Sequence, residues 1–165
     1  MRNAEEFYGG ACLACIAAAD RYSHIEQEIM PALSLGKVVI SDRYVESSLV
    51  LQRLDGCALE FLWGLNSQIL IPDLSVILIA DPVVLNRRLA DRKKLSRFEQ
   101  NESRKKEMRF YREAAKFISQ RGFNVLLLVN DVTPLKENAD RIILEIQKLR
   151  QERRKNHEAK NCFRD

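Results

Sequence analysis

The chain has 165 residues, with 27 Lys+Arg against 23 Asp+Glu and a formal net charge of +4, a length that suits one domain and excludes a multidomain assembly. Hydrophobic residues make up 46% and charged residues 30%, ordinary globular usage that excludes wholesale disorder and a fibrous repeat. The charge is segregated: residues 1–86 hold 5 basic and 11 acidic side chains, 87–112 hold 11 and 4, 113–147 hold 4 and 5, and 148–165 hold 7 and 3. Residues 1–147 therefore balance, the surplus belongs to the tail, and no general nucleic-acid-binding face is expected. With no run of about eighteen apolar residues and no basic-then-apolar start, neither a membrane span nor a leader is expected, and the expected location is the cytoplasm.

In chain order, residues 4–35 favour helix, with Gly9-Gly10 as a weak point, Pro31 kinking or restarting the helix, and Gly36 as its C-cap. Cys12 and Cys15 form a Cys-x-x-Cys within this apolar stretch. Only two histidines and no second cysteine pair accompany them, so a structural zinc site is not expected and buried packing is. Three β-branched or leucine-rich runs, 37–42, 74–80 and 124–129, read as strands buried on both faces. Helical patterns at about 57–69, 82–92, 100–121 and 135–155 separate them. Apolar strands alternating with helices imply parallel pairing through helical crossovers, hence an α/β fold in three layers, α/β/α. The expected organisation is one domain over 1–147 followed by a basic, solvated helix or tail over 148–165.

Open parallel sheets bind ligands beyond the carboxyl ends of their strands, which here carry Ser41-Asp42-Arg43-Tyr44, Ala80-Asp81-Pro82 and Asn130-Asp131-Val132-Thr133-Pro134. The first is chemically the richest. Asp42 can meet hydrated magnesium and Arg43 can fork onto phosphate oxygens; a structural ion pair between the two is the alternative. Downstream, Arg88 and Arg92 share a helix face at i and i+4, where a bound anion would offset their repulsion; a solvated basic helix is the alternative.

Ala18-Ala-Asp-Arg21, then Pro31-Ala-Leu-Ser-Leu-Gly-Lys37-Val-Val-Ile-Ser-Asp-Arg-Tyr44, then Ser47, Ser48 and Gln52 resemble the thymidylate kinase family in order and spacing. Pro72-Asp73-Leu74, Ser96-Arg97-Phe98-Glu99 and Val129-Asn130-Asp131 before Pro134 continue the resemblance, which covers roughly residues 4–147. It implies a P-loop nucleoside monophosphate kinase fold, and transfer of the terminal phosphoryl of ATP to dTMP with magnesium between the nucleotides. It also implies roles. Arg43 matches the clamp on the acceptor phosphate, and Asp42 the carboxylate that helps organise magnesium. Arg21 matches the arginine that bonds the base, and Ser48 and Gln52 match the lining of the base and sugar pocket. Arg88, Arg92 and Arg97 fall in the arginine-rich lid that closes over the phosphates, and Asn130 and Asp131 in the loop beside the adenine of ATP.

The sequence departs from that family in two respects. It contains no Gly-x-x-x-x-Gly-Lys-Ser/Thr loop to cradle the β and γ phosphates, so it resembles the family with its first strand, phosphate loop and first helix missing. A truncated or split gene product is expected, with little or no kinase activity of its own. The missing strand would lie between 37–42 and 74–80, leaving an open slot that favours instability, a homodimer or a strand-donating partner. Where the family usually places aromatic rings on the base, this chain has Ala17 and Leu51. Weaker or broader base recognition is expected, so a different nucleoside monophosphate is an alternative to dTMP, and a non-catalytic nucleotide-binding remnant is an alternative to an enzyme.

Overall fold

The computed structural model describes residues 9–90, 104–131 and 135–162. Helix α1 (Gly10–His24) runs through one π-helical turn (Ile25–Ile29) into α2 (Met30–Ser34). The π turn immediately precedes Pro31, whose missing N–H and ring disrupt the preceding turn; widening it absorbs the mismatch, and the α-helix restarts at Met30. The helix stops as expected at Gly36. There a left-handed φ of +73° lets Gly36 N–H reach Leu33 O at 2.9 Å and Lys37 N–H reach Ala32 O at 3.1 Å, the paired bonds of a Schellman cap. At the other end Gly10 is needed for space, since a Cβ there would stand 2.7 Å from that of Asp55.

Helix α1 buries Ala14 and Ala18, one turn apart, as its inward stripe. Cys12 and Cys15 lie off that stripe and are both exposed, so their expected burial is corrected. Helices α3 (Val45–Leu54) and α4 (Leu59–Asn66) follow, then β1 (Ser75–Ile79), α5 (Pro82–Ala90), α6 (Arg104–Ser119), β2 (Val125–Val129) and α7 (Leu135–Cys162). Strands β1 and β2 pair in parallel, Ser75 opposite Val125 through Ile79 opposite Val129, and α6 crosses between them against both, so the fold is α/β as expected. The core joins Leu49 and Val50 of α3, Leu62 of α4, Ile77 and Ile79 of β1, and Phe110 and Ile118 of α6. Helix α7 continues unbroken through residues 147 and 148, and Arg153 pairs with Asp73 just ahead of β1.

Two strand expectations are corrected. Residues 37–41 are not a strand: among the described residues β1 pairs only with β2, and no strand flanks this run to satisfy its backbone. Two of its apolar side chains consequently face solvent, Val38 at 63% and Ile40 at 89% exposure, while Val39 between them packs against the core. Nor are the two formed strands buried throughout, since Val76 and Leu78 of β1 and Leu127 and Val129 of β2 are exposed.

Candidate functional site

Helix α3 is enclosed on nearly every side, with Val45, Leu49, Val50 and Leu51 buried, so its buried polar residues need an explanation. Ser48 and Gln52 are those residues, and with Tyr44 they recur every four positions along one face. Ser48 Oγ accepts from Arg21 Nη2 at 2.8 Å, and the same nitrogen approaches the Tyr44 carbonyl at 3.4 Å. Arg21 Nη1 donates to Asn66 Oδ1, and the guanidinium lies 5.7 Å from the centre of the Tyr44 ring. The structure thus brings Arg21 and Ser48 together, although 27 residues separate them. Gln52 sits one turn further along, 8% exposed, and its Oε1 has no hydrogen-bond partner among the described residues.

Burial pulls the Arg21 pKa below its ordinary value, opposed by Tyr44, Glu46 and Asp20, in that order. Burial pushes the Tyr44 phenol up to about 12, against a pull from Arg21, and the hydroxyl donates to Leu70 O at 2.8 Å. Because the folded value lies above the ordinary 10.0, stability from the neutral phenol is complete below pH 10 and is lost as the pH rises towards 12. A Tyr44→Phe variant should therefore lose the latest step of the tyrosinate absorbance titration, and its melting temperature should fall less steeply over that range.

Asp42 and Arg43 form an exposed turn ahead of α3, with Ser41 Oγ donating to Arg43 O at 3.1 Å. Arg43 has φ +76° and is the one non-glycine residue with positive φ among those described. A long side chain in the left-handed region is strained, and such strain gathers at functional positions. Tyr111 of α6 stands near this turn, its phenol pushed up by burial and by Glu107 and pulled down by Arg43 and by a hydrogen bond with Ser47.

A second cluster lies at the carboxyl ends of β1 and β2. Asn130 N–H donates to Ile79 O at 2.7 Å, Asp131 Oδ1 accepts from the backbone N–H of Asp81, and Arg88 Nη2 donates to Asp131 O at 2.9 Å. Asn138 of α7, itself buried, donates to Asn130 Oδ1 at 3.2 Å. Arg88, Asn130 and Asp131 are thus brought together, whereas Arg92 and Arg97 lie outside the described residues. Of the residues where the family usually has rings, Ala17 is half-buried in α1 and Leu51 is buried in α3. Sequence reasoning missed Asn66 and Asn138. The available signal for Asn66 was a polar residue four positions after Leu62 at the end of an apolar helix.

The parallel pairing through a helical crossover defines the class, an α/β protein. A family model for thymidylate kinase matches residues 4–143. A probable thymidylate kinase of Pyrobaculum calidifontis is 41% identical over 86 residues, covering 52% of this chain and 45% of its own length. One of Pyrococcus abyssi is 38% identical over 121 residues, 72% and 59% of the two chains, and one of Thermococcus gammatolerans is 51% identical over 65 residues, 39% and 31%. The chain belongs to the thymidylate kinase family, whose fold is that of the P-loop NTPases. It spans about half the length of the curated relatives it matches first. Among the described residues no helix is long and apolar enough to cross a membrane.

Proposed function

We propose that this chain carries the acceptor side of a thymidylate kinase and binds dTMP, the nucleotide to which the terminal phosphoryl of ATP is transferred. The observation that carries this reading is Arg21, held by Ser48, Asn66 and the Tyr44 carbonyl beside the turn that presents Asp42 and Arg43. Arg21 supplies hydrogen-bond donors to a base carbonyl. The lone acceptor Gln52 Oε1 awaits an N–H or O–H from the ligand, and Ser48 fixes the wall between them. Arg43 forks onto the acceptor phosphate from the exposed turn. Arg88, Arg92 and Arg97 neutralise transferring phosphates, and Asn130 and Asp131 shape the donor end.

Among the described residues no three His, Cys, Asp or Glu side chains gather as a metal cage. A single exposed carboxylate such as Asp42 still suits magnesium, which keeps several waters and takes further ligands from nucleotide phosphates. When bound, the ion would offset phosphate charge there.

Titration calorimetry with dTMP tests the acceptor assignment. Arg21→Ala should weaken binding by at least about tenfold, the loss of hydrogen bonds from a charged donor; unchanged affinity would remove Arg21 from the site. A second reading, relaxed use of another nucleoside monophosphate, is favoured by Ala17 and Leu51, which offer no ring for stacking. Competition of dTMP against dUMP and dCMP separates the two, comparable affinities supporting relaxed use.

A further inference from the structure

We propose that Asn66 is a positioning residue that aims the Arg21 guanidinium at the nucleotide base while leaving its charge uncompensated, an inference that rests on the acceptor-site reading of Arg21. Asn66 ends α4 and is 1% exposed. Leaving either end of a buried carboxamide without a hydrogen bond is costly, and Asn66 uses both of its ends. Its Nδ2 donates to Leu62 O, one turn back, at 2.7 Å, and this bond fixes which way the amide faces. The oxygen is therefore turned towards Arg21, where it accepts from Nη1. Ser48 Oγ and the Tyr44 carbonyl hold Nη2, so three acceptors contributed by α3, α4 and the turn before α3 hold one planar group.

The chemical character of these acceptors matters as much as their number. All three are neutral, and among the described residues no carboxylate lies within ion-pair distance of Arg21; Glu46 and Asp20 act on it only as more distant charges. Glu46, whose charge acts on Arg21 more than that of Asp20, is already bonded to the Ser75 hydroxyl. An Asp in place of Asn66 would keep an acceptor near Nη1 but would pair with the guanidinium and oppose its attraction for an electron-rich base carbonyl. It would also lose the donor to Leu62 O that sets the amide's orientation. An amide is the side chain of this size that holds the arginine without neutralising it.

The test is a double-mutant cycle on the full chain read by dTMP calorimetry, joined to nitrogen-15 spectra of the arginine side chains. Asn66→Ala should weaken dTMP binding about tenfold in the parent and have little effect once Arg21 is Ala. Losses that add would make Asn66 merely structural and overturn the inference. In the spectra, the parent should show separate, slowly exchanging Nη1 and Nη2 signals for Arg21, assigned by their absence from Arg21→Ala, and Asn66→Ala should merge them. Unmerged signals would overturn the positioning role whatever the affinity. Asn66→Asp guards against misfolding of the alanine variant: the Arg21 signals should stay separate while dTMP affinity falls, and parental affinity in this variant would overturn the role assigned to the neutral amide. If Arg21→Ala binds dTMP as the parent does while the spectra show Asn66 holding Arg21, the acceptor-site reading fails rather than the geometry.

Discussion

Supplied with ATP, magnesium and dTMP, the 165-residue chain is expected to form dTDP at least about 10³-fold more slowly than a family member carrying the phosphate loop. Phosphoryl transfer asks the protein for positioning and charge stabilisation. The donor phosphates depend for both on a Gly-rich backbone cradle and its lysine, and no Gly-x-x-x-x-Gly-Lys-Ser/Thr occurs in these residues. Gly9-Gly10 does not supply one, and Gly10 is committed to close packing against Asp55. In the proposed reading, Arg88 and Asp131 offer charge and shape at the donor end but no such cradle. A coupled ADP-release assay, with dTDP confirmed by chromatography, decides the matter. Turnover in the ordinary range for a kinase would overturn the expectation, and recovery on adding a separate polypeptide that bears the loop would tie the deficit to the loop.

Arg43 carries the second large effect. Replacing it with Ala should weaken dTMP binding by about 100-fold, the loss of a bidentate, charge-assisted contact to phosphate. Arg43→Lys should fall between, because an ammonium keeps the charge but not the planar fork. Arg43→Gly separates backbone from side chain. Its φ of +76° costs an L-residue roughly 1–2 kcal/mol, which glycine is spared, while the freer unfolded chain returns about 0.4–1 kcal/mol of that gain. The glycine variant should accordingly melt at or slightly above the parent's temperature while binding dTMP as poorly as the alanine variant. Parental affinity in all three variants would take Arg43 out of the site.

Much of the fold was legible because its signals are local. The Gly36 cap, the apolar runs that became β1 and β2, and the helices beginning near Pro82, Arg104 and Leu135 each follow from a few neighbouring residues. The run at 37–42 misled for the opposite reason: β-branched residues favour an extended chain, but a strand exists only where another strand satisfies its backbone. Helix α3 escaped the helical survey because burial on nearly all sides blurs the apolar stripe that marks a surface helix. Of the proposed acceptor site, Arg21, Asp42, Arg43, Ser48 and Gln52 were readable as residues in a spaced pattern. The Arg21 bond to Asn66 spans 45 positions and is visible only in three dimensions.

The parallel ladder has a consequence for how the molecule breathes. Ser75 N–H donates to Asn124 O and Asn130 N–H donates to Ile79 O, so the odd-numbered residues of β1 face β2. The amides of Val76 and Leu78 must then point to the strand's other edge, where no partner strand stands among the described residues. In deuterated water one strand should therefore label at two speeds, alternating residue by residue, with Ile77 slow between two fast neighbours. Deuterium uptake along five residues would thus record which side of the strand is paired and which is open.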